Sequence, residues 1–136
     1  MGEGTDPCAA RPEALLEWPT YVLGQLWRRG RSAIAQALVA DGLSLRDYLV
    51  LVWIDTLPSP SQQQIADQVG IDRSDFVKIL DHLQDQDLVR RERDTADRRR
   101  HILSLTGCGR DALARATATS RQSTDVFFDA LTPDEL

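Results

Sequence analysis

Between Glu13 and Val39 the apolar positions recur at helical spacing: Leu15, Leu16, Trp18, Val22, Leu23, Leu26, Trp27, Ile34 and Leu38. A stripe this wide must bury against other surfaces. Pro19 lacks the N–H that a helix interior needs, so it either kinks this stretch or marks its true start. Gly42 breaks the pattern, and "LSLRDYLVLVWID" restarts it. Ser44 stands as an N-cap with Asp47 three residues on, the spacing of a capping box. Leu45, Tyr48, Leu49, Leu51, Val52 and Trp53 make this helix apolar nearly all round, which predicts a core helix closed by "LPSPS".

The period then shortens. "SQQQIADQVGI" reads as a short helix capped by Ser61, with Ile65, Ala66 and Val69 as its apolar stripe and Gly70 just past its end. Asp72 opens "DRSDFVKILDHLQDQD", in which Phe76, Val77, Leu80 and Leu83 face inward and Arg73, Ser74, Asp75, Lys78 and Asp81 face out. Two short helices joined by a tight turn containing glycine form a helix-turn-helix pattern. "LVRRER" and "RHILSL" read as two strands joined through the turn chemistry of "DTAD", a hairpin of the kind called a wing. Thr106 caps a long final helix, "GCGRDALARATATSRQSTDVFFDAL". Thr132, Pro133 and Glu135 have the order of an N-cap, an N1 proline and an N3 acid, so a further helix is expected to start at the end of the sequence. Residues 1–12, broken by Pro7 and Pro12, read as a flexible arm.

Charge changes the picture. The 136-residue chain carries a net −5, yet residues 90–100 hold six arginines against Glu92, Asp94 and Asp97. A cationic spike on an acidic background points to one intended anionic partner rather than general stickiness. No apolar run approaches the roughly 18–20 residues of a membrane helix, and the N-terminus lacks the basic and apolar regions of a secretory signal. A cytoplasmic address without membrane contact is expected. Cys8, Cys108, His82 and His101 lack metal-ligand spacing, so no metal or cofactor is expected. No Ser-His-Asp order, phosphate-binding glycine loop or paired catalytic carboxylates stand out, which argues against an enzyme.

From residue 61 to 109 the ordered motifs resemble the MarR family of bacterial transcription regulators. "SQQQIADQVGIDRSDFVKILDHLQDQDLVRR" looks like the family's paired helices and "LV-x-R" lead-in to the wing. "DRRRHILSLT" looks like its "D-x-R…L-x-L-T" wing return, and "LTGCG" like its "L-T-x-x-G" start to the long dimer helix. The resemblance covers about residues 13–136. It implies a mainly α fold with a small two-stranded antiparallel β wing: a winged helix-turn-helix with flanking dimerisation helices. Residues 13–43 would form an N-terminal dimerisation helix, 44–105 the DNA-binding lobe and 106–136 the C-terminal dimerisation helix. Two features depart from the family pattern. Asp87 stands where the family usually has a glycine in left-handed backbone, and Asp75 where a small hydroxyl residue is common.

The function implied is that of a sequence-specific regulator of double-stranded DNA, a repressor released by a small ligand. It would act as a homodimer on a palindromic operator. Arg73, Ser74 and Lys78 would reach base edges in the major groove, while Ser61 and Gln63 would grip phosphate. Arg99 matches the family's wing arginine, with Asp97 bracing its guanidinium. Arg98 and Arg100 would line adjacent phosphates, and Arg90, Arg91 and Arg93 would alternate between phosphate and solvent. Asp75 either accepts from cytosine N4 or completes a capping box with Asp72; its spacing favours the box. The apolar first helix and the "DVFFDALTPDEL" end are the expected dimer surfaces, with one of Phe127 and Phe128 packing inward and the other across the interface. An aromatic or phenolic ligand would draw on Trp18, Tyr21, Trp27, Arg31, Tyr48 and Trp53, with Arg28 as another partner for a ligand carboxylate. Two rival readings remain: a thiol-redox sensor using Cys8 or Cys108, and a winged helix that binds only protein.

Overall fold

The computed structural model describes residues 13–129. The expected arm (1–12), Cys8 and the helix start at Thr132–Glu135 lie outside the described residues. The elements run α1 (Glu13–Leu16), α2 (Pro19–Leu38), a 3-10 turn (Val39–Asp41), α3 (Leu45–Thr56), α4 (Gln62–Val69), α5 (Arg73–Asp85), β1 (Val89–Arg93), β2 (His101–Leu105) and α6 (Gly107–Asp129). Pro19 is the first residue of α2, so the first apolar stretch divides there instead of kinking. A proline at that position gives up no hydrogen bond, because the first N–H groups of a helix have no partner within it.

Phe76, Leu38, Leu51, Ile65, Leu80, Leu83, Leu103 and Val50 are fully buried. They come from α2, α3, α4, α5 and β2, so the helix-turn-helix and wing share one core with the end of α2 and the core helix. Trp53 packs against its edge. Two capping boxes hold helix starts in place. At α3, the Asp47 N–H donates to Ser44 Oγ (3.1 Å) and the Ser44 N–H to Asp47 Oδ2 (2.9 Å). At α4, Ser61 and Gln64 repeat the exchange at 3.2 and 2.9 Å.

β1 and β2 pair antiparallel with Val89 opposite Leu105 and Arg91 opposite Leu103. A third segment joins them. The Leu103 N–H donates to the Pro60 carbonyl at 2.9 Å, and Ser61 forms an isolated bridge with Ile102. The start of α4 is thereby fixed to the wing, a long-range link invisible to local pattern.

The connection from α5 to β1 needs a left-handed residue, and Asp87 supplies it at φ 56°. Its carbonyl accepts from the Thr106 hydroxyl, whose oxygen accepts from the Gly109 N–H at 2.9 Å. A Cβ on Gly109 would stand 2.0 Å from the Leu88 carbonyl oxygen. The glycine is therefore a condition of contact between α6 and the foot of the wing. Higher up, the Thr119 hydroxyl donates to Asp41 at 2.7 Å, and the Phe127 ring lies 3.7 Å from where a Gly30 Cβ would be. No described helix is long and apolar enough to cross a membrane.

Candidate nucleic-acid interface and apolar cavity

Ser61, Gln63, Arg73, Arg99 and Arg100 line one cleft of about 350 Å³, together with Phe76 and His101. The N-terminal ends of α4 and α5 form one wall and the descending wing the other. Gln63 links them: Arg73 Nη2 donates to Gln63 Oε1 at 2.6 Å, and Gln63 Nε2 donates to Asp67 at 2.7 Å. Ser61 is buried, and its hydroxyl oxygen is engaged by the α4 cap. Its place in the cleft is that of a frame for Gln63 rather than an exposed side chain.

The wing tip is organised by its aspartates. Asp94 accepts from the Ala96 N–H at 2.9 Å, and Asp97 accepts from the Arg99 N–H at 3.0 Å. Asp97 thus braces the backbone of Arg99 and not its guanidinium, a correction to the sequence expectation. A carboxylate two residues upstream reaches a main-chain N–H more readily than a long side chain that points away. Arg98, Arg99 and Arg100 are exposed, and among the described residues none of the three lies within ion-pair distance of a carboxylate.

Arg91 also departs from expectation. It is half-buried on the inner face of the hairpin, 3.5 Å from Asp81 on α5. Its register with Leu103 turns it toward the lobe, so it ties the wing to α5 instead of alternating between phosphate and solvent.

On α5, Arg73, Ser74 and Lys78 are all exposed. Asp72 is the N-cap residue, but its carboxylate forms no cap hydrogen bond; it accepts instead from the Ser74 hydroxyl. That hydroxyl, with the first-turn N–H groups nearby, holds the Asp72 carboxyl below the usual carboxylate range. Asp75 does not complete a capping box, contrary to the reading that its spacing favoured. It lies 3.4 Å from Lys78 Nζ.

A second, larger cavity of about 1230 Å³ opens between α2, α3 and α6. Trp27, Arg31 and Tyr48 line it, among Leu23, Leu26, Ile34, Phe127 and other apolar side chains. Trp18 and Tyr21 lie on the α1–α2 side outside this lining, and Trp53 belongs to the core edge. Sequence reasoning missed Ser120. Its hydroxyl is buried at the cavity wall with no hydrogen-bond partner among the described residues, and in the sequence it is one of several small polar residues on a long helix. Tyr48 donates to Thr117 on the same helix at 3.4 Å. Cys108 is exposed in the first turn of α6. Phe127 is half-buried beside Gly30, while Phe128 is exposed, their rings edge to face at 5.4 Å.

Residues 41–100 match the family model described as MarR family. A solved structure of the transcriptional repressor CouR, bound to a 23-mer DNA duplex, is 31% identical with a TM-score of 0.80, covering 93% of this chain and 89% of that one. The chain belongs to the MarR family. A second solved structure, CouR from Rhodococcus jostii RHA1 bound to p-coumaroyl-CoA, is 29% identical with a TM-score of 0.76, covering 89% of this chain and 85% of that one. A transcriptional regulatory protein for the hcr operon of Thauera aromatica is 34% identical over 109 residues, a match spanning 76% of this chain and 66% of the relative. The winged helix-turn-helix expected from the MarR resemblance is the fold observed.

Proposed function

We propose that this MarR-family chain is a sequence-specific, double-stranded DNA-binding repressor, acting as a homodimer and released by a small ligand. The observation that carries the reading is the cleft in which the α4 and α5 N-termini meet the wing arginines. Helix N-termini and their polar side chains suit phosphate, the exposed face of α5 suits the major groove, and unpaired guanidinium groups suit the negative potential of the minor groove. The acidic remainder of the molecule, which brings the net charge to −5, opposes contact through any other face. CouR on its duplex supports the same use of the lobe.

Dimerisation is supported by apolar side chains left in solvent on α1, α2 and α6. Leu16, Trp18, Leu23, Trp27, Val126 and Phe128 are 47–70% exposed, more apolar surface than a lone helical face keeps without a partner. The cavity between α2, α3 and α6 is the candidate ligand site. Its apolar walls fit an aromatic or phenolic body, Arg31 fits a carboxylate, and the Ser120 hydroxyl offers one buried hydrogen bond. CouR with p-coumaroyl-CoA supports a ligand of that character.

Selection of bound sequences from random duplex DNA tests the reading. The expected result is a palindromic site with half-sites about 34–36 Å apart, bound with an affinity that falls steeply as salt rises. Recovery of no enriched sequence would remove the DNA reading. Phenolic acids and p-coumaroyl-CoA, titrated against the complex, then test release.

A further inference from the structure

We infer that Asp75 and Lys78 act as one unit that reads a G·C base pair in the major groove, making Asp75 a specificity-determining residue. The inference rests on the DNA-binding reading above. Among the described residues, three polar pairs stand at N-cap and N3 of a helix. Two of them, Ser44 with Asp47 and Ser61 with Gln64, close into reciprocal capping boxes. The third, Asp72 with Asp75, does not. Asp72 instead engages Ser74, and among the described residues no backbone N–H donates to the Asp75 carboxylate. The local structural role that its position offered is left unfilled.

Asp75 instead projects from the outward side of α5, half-exposed, with its oxygen 3.4 Å from the Lys78 ammonium. An exposed ion pair one helical turn apart is worth little to folding. A carboxylate on a surface meant for polyphosphate weakens binding unless it meets a donor. The major groove supplies one at cytosine N4 or adenine N6, whereas guanine and thymine present acceptor oxygens that repel a carboxylate. A lysine beside it donates to guanine O6 or N7. Within one G·C pair, O6 and N4 are themselves hydrogen-bonded at about 2.9 Å. The Lys78–Asp75 pair therefore offers a donor and an acceptor at nearly the spacing of the acceptor and donor it would meet. The carboxylate disfavours guanine and thymine at its own contact, so part of the discrimination comes from repulsion. Against an A·T pair the preference rests on Lys78, which finds two acceptors on guanine, O6 and N7, but on thymine only O4 beside the C5-methyl.

The test compares the full chain with Asp75→Ser and Asp75→Asn by selection from random duplex DNA, with circular dichroism to confirm folding. The wild-type chain should fix a G·C pair at one position of each half-site. Asp75→Ser should relax that position by between about fivefold and about a hundredfold, while its affinity for random duplex rises. Asp75→Asn should move the preference toward A·T, because an amide pairs bidentately with adenine. A folded Asp75→Ser variant with the wild-type preference at every position would overturn the inference and leave the DNA reading standing. A wild-type chain that selects no sequence at all overturns both.

Discussion

Two single residues govern how the lobe joins α6. At Gly109 the Leu88 carbonyl oxygen occupies the space of a side chain, 2.0 Å from a hypothetical Cβ. Gly109→Ala should cost about 1–3 kcal/mol or more, since backbone must move to admit the methyl. Urea denaturation reads this directly; an unchanged midpoint would mean that α6 can shift without loss. Asp87 is the opposite case. It holds φ 56°, a conformation that costs most side chains roughly 1–2 kcal/mol and aspartate somewhat less. Asp87→Gly should therefore raise the stability by up to about 1 kcal/mol, visible as a higher melting temperature. The family resemblance marked Asp87 as a left-handed position and put Gly109 in the L-T-x-x-G motif, but the close approach to Leu88 is a matter of packing that the motif does not spell out.

At the scale of elements, local rules transferred well and long-range ones did not. The box at Ser44 depends on residues three apart, so spacing alone exposed it; Ser61 was legible as a cap, and the structure adds Gln64 to complete its box. The same spacing misled at α5, where Ser74 offers the Asp72 carboxylate a nearer partner. Arg91 looked like one more member of a cationic run. Its inward turn depends on which side of the hairpin meets α5, a matter of register that charge pattern does not carry. The tie from Pro60 and Ser61 to β2 spans some forty residues of sequence, and no periodicity announces it. Two predictions belong here. Ser61→Ala should lose about 1 kcal/mol through the missing cap and loosen the wing, lowering DNA affinity beyond the loss of stability. Arg99→Ala should leave the unfolding curve within about 0.5 kcal/mol of wild type, yet weaken DNA binding and lower the salt slope by about one unit. A variant binding as wild type does at every salt concentration would take the wing tip out of the interface.

For the molecule as a whole, the two faces divide the labour. The cationic cleft lies on the lobe, and the exposed apolar side chains lie on α1, α2 and the far end of α6. Multi-angle light scattering at micromolar concentration should return twice the chain mass. Phe128→Asp, which places a charge on that apolar end, should shift the population toward single chains with little effect on the lobe. A wild-type protein of single-chain mass under those conditions would contradict the paired assembly. Composition foretold none of this division, because a net −5 averages the two faces away. The large cavity was equally hidden. It joins α2 and α3 to α6, some fifty residues further along the chain, and its Ser120 hydroxyl, without a partner among the described residues, is a fact of packing rather than of pattern.

The contact between Gly109 and Leu88 leaves no room for a side chain at the foot of the wing, so a tilt of α6 would be passed to the hairpin. The lever on its far side is α6. That lever has 23 helical residues and is about 34 Å long. A tilt of about 5° about that foot would move the far end of α6 by roughly 3 Å and the tip of the five-residue strands, at about 3.3 Å per residue, by roughly half as much. A modest wedge among the apolar helices would therefore reach the arginine tip as a shift of about half the roughly 3.4 Å spacing of successive bases.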